Sequence, residues 1–414
     1  MGQSSDNKLK IFNDPVYGFI NIPDGSVFDI IETPFFQRLR HIRQLGMSHL
    51  VYPGALHTRF HHAMGAMYLM GQAIEILRFK GYEISEDDAL AVTQAILLHD
   101  IGHGPFSHAL EHSLVKGVTH EELSGLFMQR LHQTMPHSLE NAIRIFKGTH
   151  PCKPLHQLVS SQLDMDRLDY LNRDSFFTGV SEGVISWDRI IKMLNISDDT
   201  LVIDAKGIYS IEKFIIARRL MYWQVYLHKT VVAAESMLTN ILRRARQLAM
   251  AGETLPASAA LSRFLYHDYR LHNFLNDASL LEDFSLLDDY DIYAAIKSWV
   301  VHEDKLLAYL CRSLVHRKLF RVHMQNEAFD HNQLSHIKSR AKEVFGFISD
   351  SELDYLVIEG KSSNSAYDPG ASGIMILSRD GRLNDIATAS DQLNINVLSS
   401  PVEKFVLCYP KELT

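Results

Sequence analysis

His99, Asp100, His103 and His108 fall within one short stretch, Leu97-Leu98-His99-Asp100-Ile101-Gly102-His103-Gly104-Pro105-Phe106-Ser107-His108, at the end of an apolar, alanine-rich run. An imidazole beside a carboxylate offers two strong ligand types for a divalent ion. Adjacent helical residues point about 100° apart, so His99 and Asp100 share a metal most easily where a helix ends and the backbone diverges. Gly102 and Gly104 let the chain turn and keep the space beside a metal free of Cβ atoms. Pro105 suits the first turn of a new helix, which carries His108.

Three further groups could work beside this turn. His61-His62 opens a helix of small residues, and a buried histidine there needs a partner; which of the pair serves is open locally. In Asp164-Met165-Asp166-Arg167-Leu168-Asp169-Tyr170-Leu171-Asn172-Arg173-Asp174, helical spacing puts Asp166, Tyr170 and Asp174 on one face. Thr119 and Glu122 form a capping box, with His120 in the first turn. The helix dipole there disfavours imidazolium and favours a nearby phosphate.

The elements that must position these groups are mainly helical. Thr33-Pro34 starts a helix over residues 35–45 that stops at Gly46. Helices follow from 58 to about 79 and over 87–98. Residues 200–209 read as a hairpin around Lys206-Gly207. One long helix runs from 211 to about 250 and carries Arg218, Tyr222, Tyr226 and Lys229 near one side. Further helices cover 291–300 and 305–320. After Gln325 the texture changes: residues 354–359, 373–378 and 404–408 read as strands, with a hairpin signal at Asp380-Gly381 and a mobile loop over 360–372. The reading is a mainly α fold, with a helical catalytic domain over 1–325, small β-hairpin elements, and a C-terminal α+β region over 326–414.

Bulk properties exclude several function classes. The 414 residues carry a formal net charge of −8, so bulk charge gives a duplex-binding role no support. Three cysteines, Cys152, Cys311 and Cys408, lie far apart, which argues against a disulfide framework or a zinc knuckle and fits a reducing cytoplasm. The polar start reads as no signal peptide, and no apolar run is long enough for a membrane span.

Taken together, His62, His99-Asp100 and Asp166 resemble the His…His-Asp…Asp pattern of the HD-domain phosphohydrolases. Phe36-Gln37-Arg38-Leu39-Arg40, Tyr52-Pro53-Gly54-Ala55, Arg59-Phe60, His99 to His108, Asp166 to Asp174 and Arg317-Lys318-Leu319-Phe320 are similar to the deoxynucleoside triphosphate triphosphohydrolase branch. The resemblance covers roughly residues 8 to 325. It implies an HD-domain helical core and a metal held by His62, His99, Asp100 and Asp166. Two imidazoles and two carboxylates suit Mg²⁺, Mn²⁺, Fe²⁺ or Ni²⁺ better than a sulfur-ligated zinc. His61 stands where the family usually has glutamate.

Other roles are implied residue by residue. His108 and His120 match histidines around the α-phosphate, Glu111 would orient His108, and His103 would hold phosphate. Arg59, Arg167 and Arg218 match triphosphate contacts. Tyr170 and Asp174 match groups that hold the 3′-hydroxyl, and Gln44, Leu45 and Tyr226 match the sugar pocket. Lys10, Ile11, Asn13, Glu32, Gln37 and Arg40 resemble an intersubunit activator site, and Val51, Tyr52, Arg189, His228 and Lys229 its second nucleotide subsite. Around Asp204, where a relative has arginine, that match fails. The implied reaction is hydrolysis of a deoxynucleoside triphosphate to deoxynucleoside and tripolyphosphate by a cytoplasmic homo-oligomer, a dimer or tetramer, switched by GTP or dGTP. The alternatives are another HD-type phosphohydrolase or phosphodiesterase, and a nucleotide-gated oligomer that binds nucleic acid.

Overall fold

A computed structural model describes residues 10–106, 113–369, 373–391, 395 and 400–413. Its centre is the Arg59–Phe79 helix, which packs against the Glu86–Leu98 and Met165–Thr178 helices. Ala63, Gly65 and Ala66 line the first of these, and their small side chains bring the neighbouring helices close. Gly65 is required there: a Cβ would strike the side chains of Arg173 and Asp169. Thr119 caps the His120–Thr134 helix through the Glu122 backbone, as the capping-box spacing predicts.

Three small sheets surround the helices. Ile11–Asp14 and Gly18–Asn21 form an antiparallel hairpin. Leu194–Ser197 and Thr200–Asp204 form a second hairpin, and the latter strand pairs in parallel with Met375–Leu377, which pairs with Leu383–Asp385. Val402–Tyr409 lies between Arg321–Gln325 and Ile358–Asn364. Strand pairs therefore cross residue 325 in two sheets. One apolar core runs through most of the chain, and a smaller one gathers Ile337, Ala341, Leu353, Val357, Leu407 and Tyr409. The mainly helical class and the small β elements agree with the sequence reading.

Several expected elements differ, each for a local reason. The helix expected over 35–45 is only Pro34–Gln37 followed by a 3₁₀ turn at Arg38–His41. Its continuation is extended because Ile42 to Gln44 bonds to residues 57–59, with Gln44 N–H donating to the His57 carbonyl at 3.0 Å. The second hairpin turns at Asp198-Asp199, both left-handed (φ 49° and 55°), and Lys206-Gly207 lies in a 3₁₀ turn beyond it. The long helix is two helices, Ile208–Met221 and Lys229–Met250, separated by a π turn at Tyr222–Tyr226. His228 caps the second, its side chain accepting from Thr230 N–H. The helix expected over 305–320 ends at Val315, and Arg317 follows with φ 54°. The strand expected over 354–359 begins at Ile358 and takes up the first part of the expected loop at 360–372. Gly25–Ile31 and His331–Val344 are helices that the pattern did not reveal. None of the helices is long and apolar enough to cross a membrane, among the described residues.

Candidate active site

The elements above deliver side chains to one buried point. The Glu86–Leu98 helix ends at His99, whose backbone is still right-handed, and a turn closed by Ile101 N–H donating to the Leu98 carbonyl follows; His99 and Asp100 are both buried there. His62 arrives from the first turn of its helix and Asp166 from the first turn of the Met165–Thr178 helix. Asp166 Oδ1 lies 3.1 Å from His62 Nε2 and 3.5 Å from His99 Nε2. Asp100 Oδ1 is 3.3 Å from His99 Nε2, and its Oδ2 is 3.8 Å from His62 Nε2. Both imidazoles are oriented from behind: His62 Nδ1 lies 2.7 Å from Asp169 Oδ2, and His99 Nδ1 lies 2.6 Å from the Ile96 carbonyl. Such partners fix the tautomer with Nε2 toward a ligand.

The donor set fits a divalent cation. Burial works to lower the His62 pKa, but Asp166 and Asp169 outweigh it and carry it up to about 10. Burial opposes ionisation of Asp166, yet hydrogen bonds from His62 and His99 hold its carboxyl well below the usual range. The cluster thus favours positive charge between its carboxylates, which a metal would supply. His62, His99 and Asp166 present ligand atoms within 4.8 Å of one another, as do Asp100, His103 and His120. His61 is not in the cluster: its Nδ1 accepts from Thr58 N–H at 3.1 Å and so caps its own helix.

The wall beyond Asp100 is imidazole and arginine. The His103 and His120 rings stack at 3.8 Å. Burial, with the charge of Arg59 adding to it, pulls His103 down to about 3, so this ring is neutral near pH 7. Arg59 Nη1 lies 2.5 Å from Asp100 Oδ2. The loop is pinned by main-chain contacts: Ser124 Oγ accepts from Gly102 N–H and donates to the His99 carbonyl. Gly102 was expected to clear space beside the metal. Its missing Cβ instead makes room for the His120–Thr134 helix, whose His120 carbonyl a Cβ would strike. A cavity of about 640 Å³ opens from His99, Asp100 and Asp166 past His120, Lys147 and Arg167. His108 and Glu111 lie outside the described residues.

Of the residues expected at a sugar, Asp174 and Tyr226 meet near the far end of the Met165–Thr178 helix. Tyr226, the last residue of the π turn, donates its hydroxyl to Asp174 Oδ2 at 2.8 Å. The Tyr170 ring centre lies 6.3 Å from that of Tyr226. Gln44 Oε1 is buried without a hydrogen-bond partner among the described residues. Leu45 leads into a 3₁₀ turn and packs on the core. Arg218 lies near Tyr170, on which its charge acts, and donates to the Ala366 carbonyl at 3.2 Å.

The residues expected to form an activator site fall in two groups. Arg40 Nε donates to Gln37 Oε1 at 2.8 Å, with Glu32 acting on Arg40 electrostatically, while Lys10 Nζ sits 4.5 Å above the Phe28 ring. Ile11 and Asn13 are on the first hairpin. In the second group the Tyr52 and His228 rings are 6.0 Å apart, beside Val51 and Lys229, whereas Arg189 donates to the Lys206 carbonyl.

Sequence reasoning gave no role to Asp169, Arg173, Asp14, His57, Ser124 or Arg38. Arg173 bonds Asp169 at 2.9 Å and Asp14 at 2.7 Å, all three buried. Arg38 is buried and donates to the carbonyls of Ile101 and His103 at 3.0 and 2.8 Å. The available signal was the repetition of charge in 164–174, too much for one solvated face.

The family model described as "HD domain" matches residues 59–173, and "HD associated region" matches 185–279. The crystal structure of a phosphohydrolase from Bacteroides thetaiotaomicron is 52% identical, superposes with a TM-score of 0.94, and is covered over 98% of this chain and 100% of that one. The protein YwfO of Bacillus subtilis, described as uncharacterized, is 32% identical over 98% of this chain and 93% of its own. The deoxynucleoside triphosphate triphosphohydrolase SAMHD1 of Homo sapiens is 31% identical over 57% of this chain but only 45% of its own length. With His62, His99, Asp100 and Asp166 all inside the region matched as an HD domain, the chain belongs to the HD-domain phosphohydrolase family.

Proposed function

We propose that the protein hydrolyses deoxynucleoside triphosphates at the α-phosphorus, releasing a deoxynucleoside and tripolyphosphate. One observation carries the reading. Asp166 and Asp174 lie on one helix, about 12 Å apart along its axis, with Asp166 in the ligand cluster and Asp174 bonded to Tyr226. A nucleotide laid along that face has phosphate beside imidazoles and arginines and a sugar hydroxyl beside a carboxylate and phenols. The similarity to SAMHD1 supports the same substrate class.

His62, His99, Asp100 and Asp166 would hold Mg²⁺, Mn²⁺, Fe²⁺ or Ni²⁺, which when bound supplies Lewis acidity and lowers the pKa of water. Arg59 and Arg167 offset the triphosphate charge. His103, held neutral by burial and Arg59, meets phosphate oxygens together with His120, and His108 oriented by Glu111 moves the proton. Tyr170 and Asp174 hold the 3′-hydroxyl, and Gln44, Leu45 and Tyr226 enclose the sugar. Arg218, released from Ala366, reaches the triphosphate. In this reading GTP or dGTP activates a cytoplasmic homo-oligomer through Lys10, Ile11, Asn13, Glu32, Gln37 and Arg40, with Val51, Tyr52, Arg189, His228 and Lys229 at the neighbouring subsite.

The test is product analysis for each dNTP and NTP with Mg²⁺ or Mn²⁺. Tripolyphosphate supports the proposal. Orthophosphate points to another HD-type hydrolysis, and binding without turnover to a nucleotide-gated binder.

A further inference from the structure

His57 joins both halves of the sugar site and is 1% exposed. Its main-chain carbonyl accepts from Gln44 N–H at 3.0 Å. Its Nε2 lies 2.8 Å from Asp174 Oδ1. A carboxylate only accepts, so Nε2 carries the proton and donates. Nδ1 is buried without a hydrogen-bond partner among the described residues. The ring stacks on Phe177, 4.5 Å away and 16° from parallel, which fixes its plane.

Asp174 is therefore held from two sides, by His57 at Oδ1 and by the Tyr226 hydroxyl at Oδ2. The carboxylate torsion is soft on its own. With one donor on each oxygen it cannot rotate without breaking a bond, and the lone pairs left for a ligand point in set directions. Burying an imidazole with one bare nitrogen is unfavourable for folding, and a leucine would avoid that loss without orienting anything.

We propose that His57 is a positioning residue that sets recognition of the substrate 3′-hydroxyl by aiming Asp174; this rests on the nucleotide reading above. The residue touches no substrate itself. It acts through Asp174 by its side chain and through Gln44 by its main chain.

The test compares kcat/KM for dGTP and 2′,3′-dideoxy-GTP, which differ by that hydroxyl, in metal-loaded wild type and His57→Phe. Phenylalanine keeps a ring against Phe177 and removes the N–H donor. The wild type should prefer dGTP, and the variant should lose about tenfold to a hundredfold of that preference with its bound metal per chain unchanged. A merely structural role would lower both substrates in proportion, and an unchanged ratio overturns the proposal. Should His57→Phe fail to fold, His57→Met, which also lacks the donor, is read against the same ratio. If neither folds, His57 is a core residue and the proposal falls. A wild type that hydrolyses neither compound refutes the nucleotide reading, whereas one that hydrolyses both equally leaves that reading standing and refutes 3′-hydroxyl recognition at Asp174, and the His57 proposal with it.

Discussion

His62 faces Asp166 with Nε2 at 3.1 Å and Asp169 with Nδ1 at 2.7 Å, so one imidazole joins the His/Asp cluster that could hold a metal to a buried ion pair. That pair continues through Arg173 to Asp14 in the first hairpin. The chain of contacts ties the orientation of a ligand to the packing of the whole helical centre.

Asp169→Asn should therefore weaken divalent metal binding by about tenfold to a hundredfold. It should also destabilise the fold by about 3 kcal/mol, the low end for breaking a buried pair, because Arg173 keeps Asp14. Calorimetric metal titration and urea unfolding read the two effects separately. Full metal affinity in the variant would show that Asp169 does not orient His62.

Asp166→Asn keeps the shape of the side chain and removes a charged ligand. The expected outcome is a folded chain with neither bound metal nor turnover. Metal content by elemental analysis beside a melting curve decides it, and near-normal turnover with no metal bound would sink the ligand assignment.

Asp289 gives a pH effect away from the metal. It accepts from the main-chain N–H groups of Arg43 and Phe106 and is buried. Burial raises its pKa from 3.8 to about 6, against the pull of those hydrogen bonds. The folded state thus holds this proton more tightly than the unfolded chain does. Its contribution to stability is present in full below pH 3.8 and is lost as pH rises through about 6. The change corresponds to about 3 kcal/mol. Relative to Asp289→Asn, wild type should lose about that much unfolding free energy between pH 4 and pH 7, measured by urea titration. A pH-independent difference between the two proteins would rule the assignment out.

Tyr226 is held at Asp174 from the π turn, and burial together with that carboxylate keeps its phenol protonated. Tyr226→Ala should narrow the ratio of dNTP to NTP turnover as total activity falls, because an apolar wall rejects an added hydroxyl by only about a hundredfold. The measurement is kcat/KM for dGTP and GTP in both proteins. An unchanged ratio removes Tyr226 from the sugar pocket.

Arg40 is exposed, bonded to Gln37 and 3.6 Å over the Phe60 ring. Arg40→Ala should impair activation by GTP or dGTP and oligomer assembly more than metal binding. Light scattering and turnover with and without GTP distinguish these. A wild type fully active on each dNTP alone, with no gain from added GTP or dGTP, would end the activator proposal.

The sequence by itself determined the chemistry available and much of the scaffold. The His99-Asp100 pair at a helix end, the capping box at Thr119 and the helices around residues 59–79 and 86–98 follow from local pattern, and local pattern is enough because caps and periodicity act within one or two turns. The same local rules misread the segment after Gln37 and the break before His228. In the first, main-chain bonds to residues 57–59 outweigh helix propensity. In the second, the π turn carries Tyr226 to a carboxylate on another helix. Local pattern left His61 and His62 open and the family resemblance pointed to His62; the tertiary structure supplies the physical reason, since the two share one helix turn and differ in which neighbour each meets. It also decided the work of Asp169, Arg173, Arg38 and His57. Their partners lie far away in sequence, and a buried charge or imidazole acquires a role only from what folding places beside it.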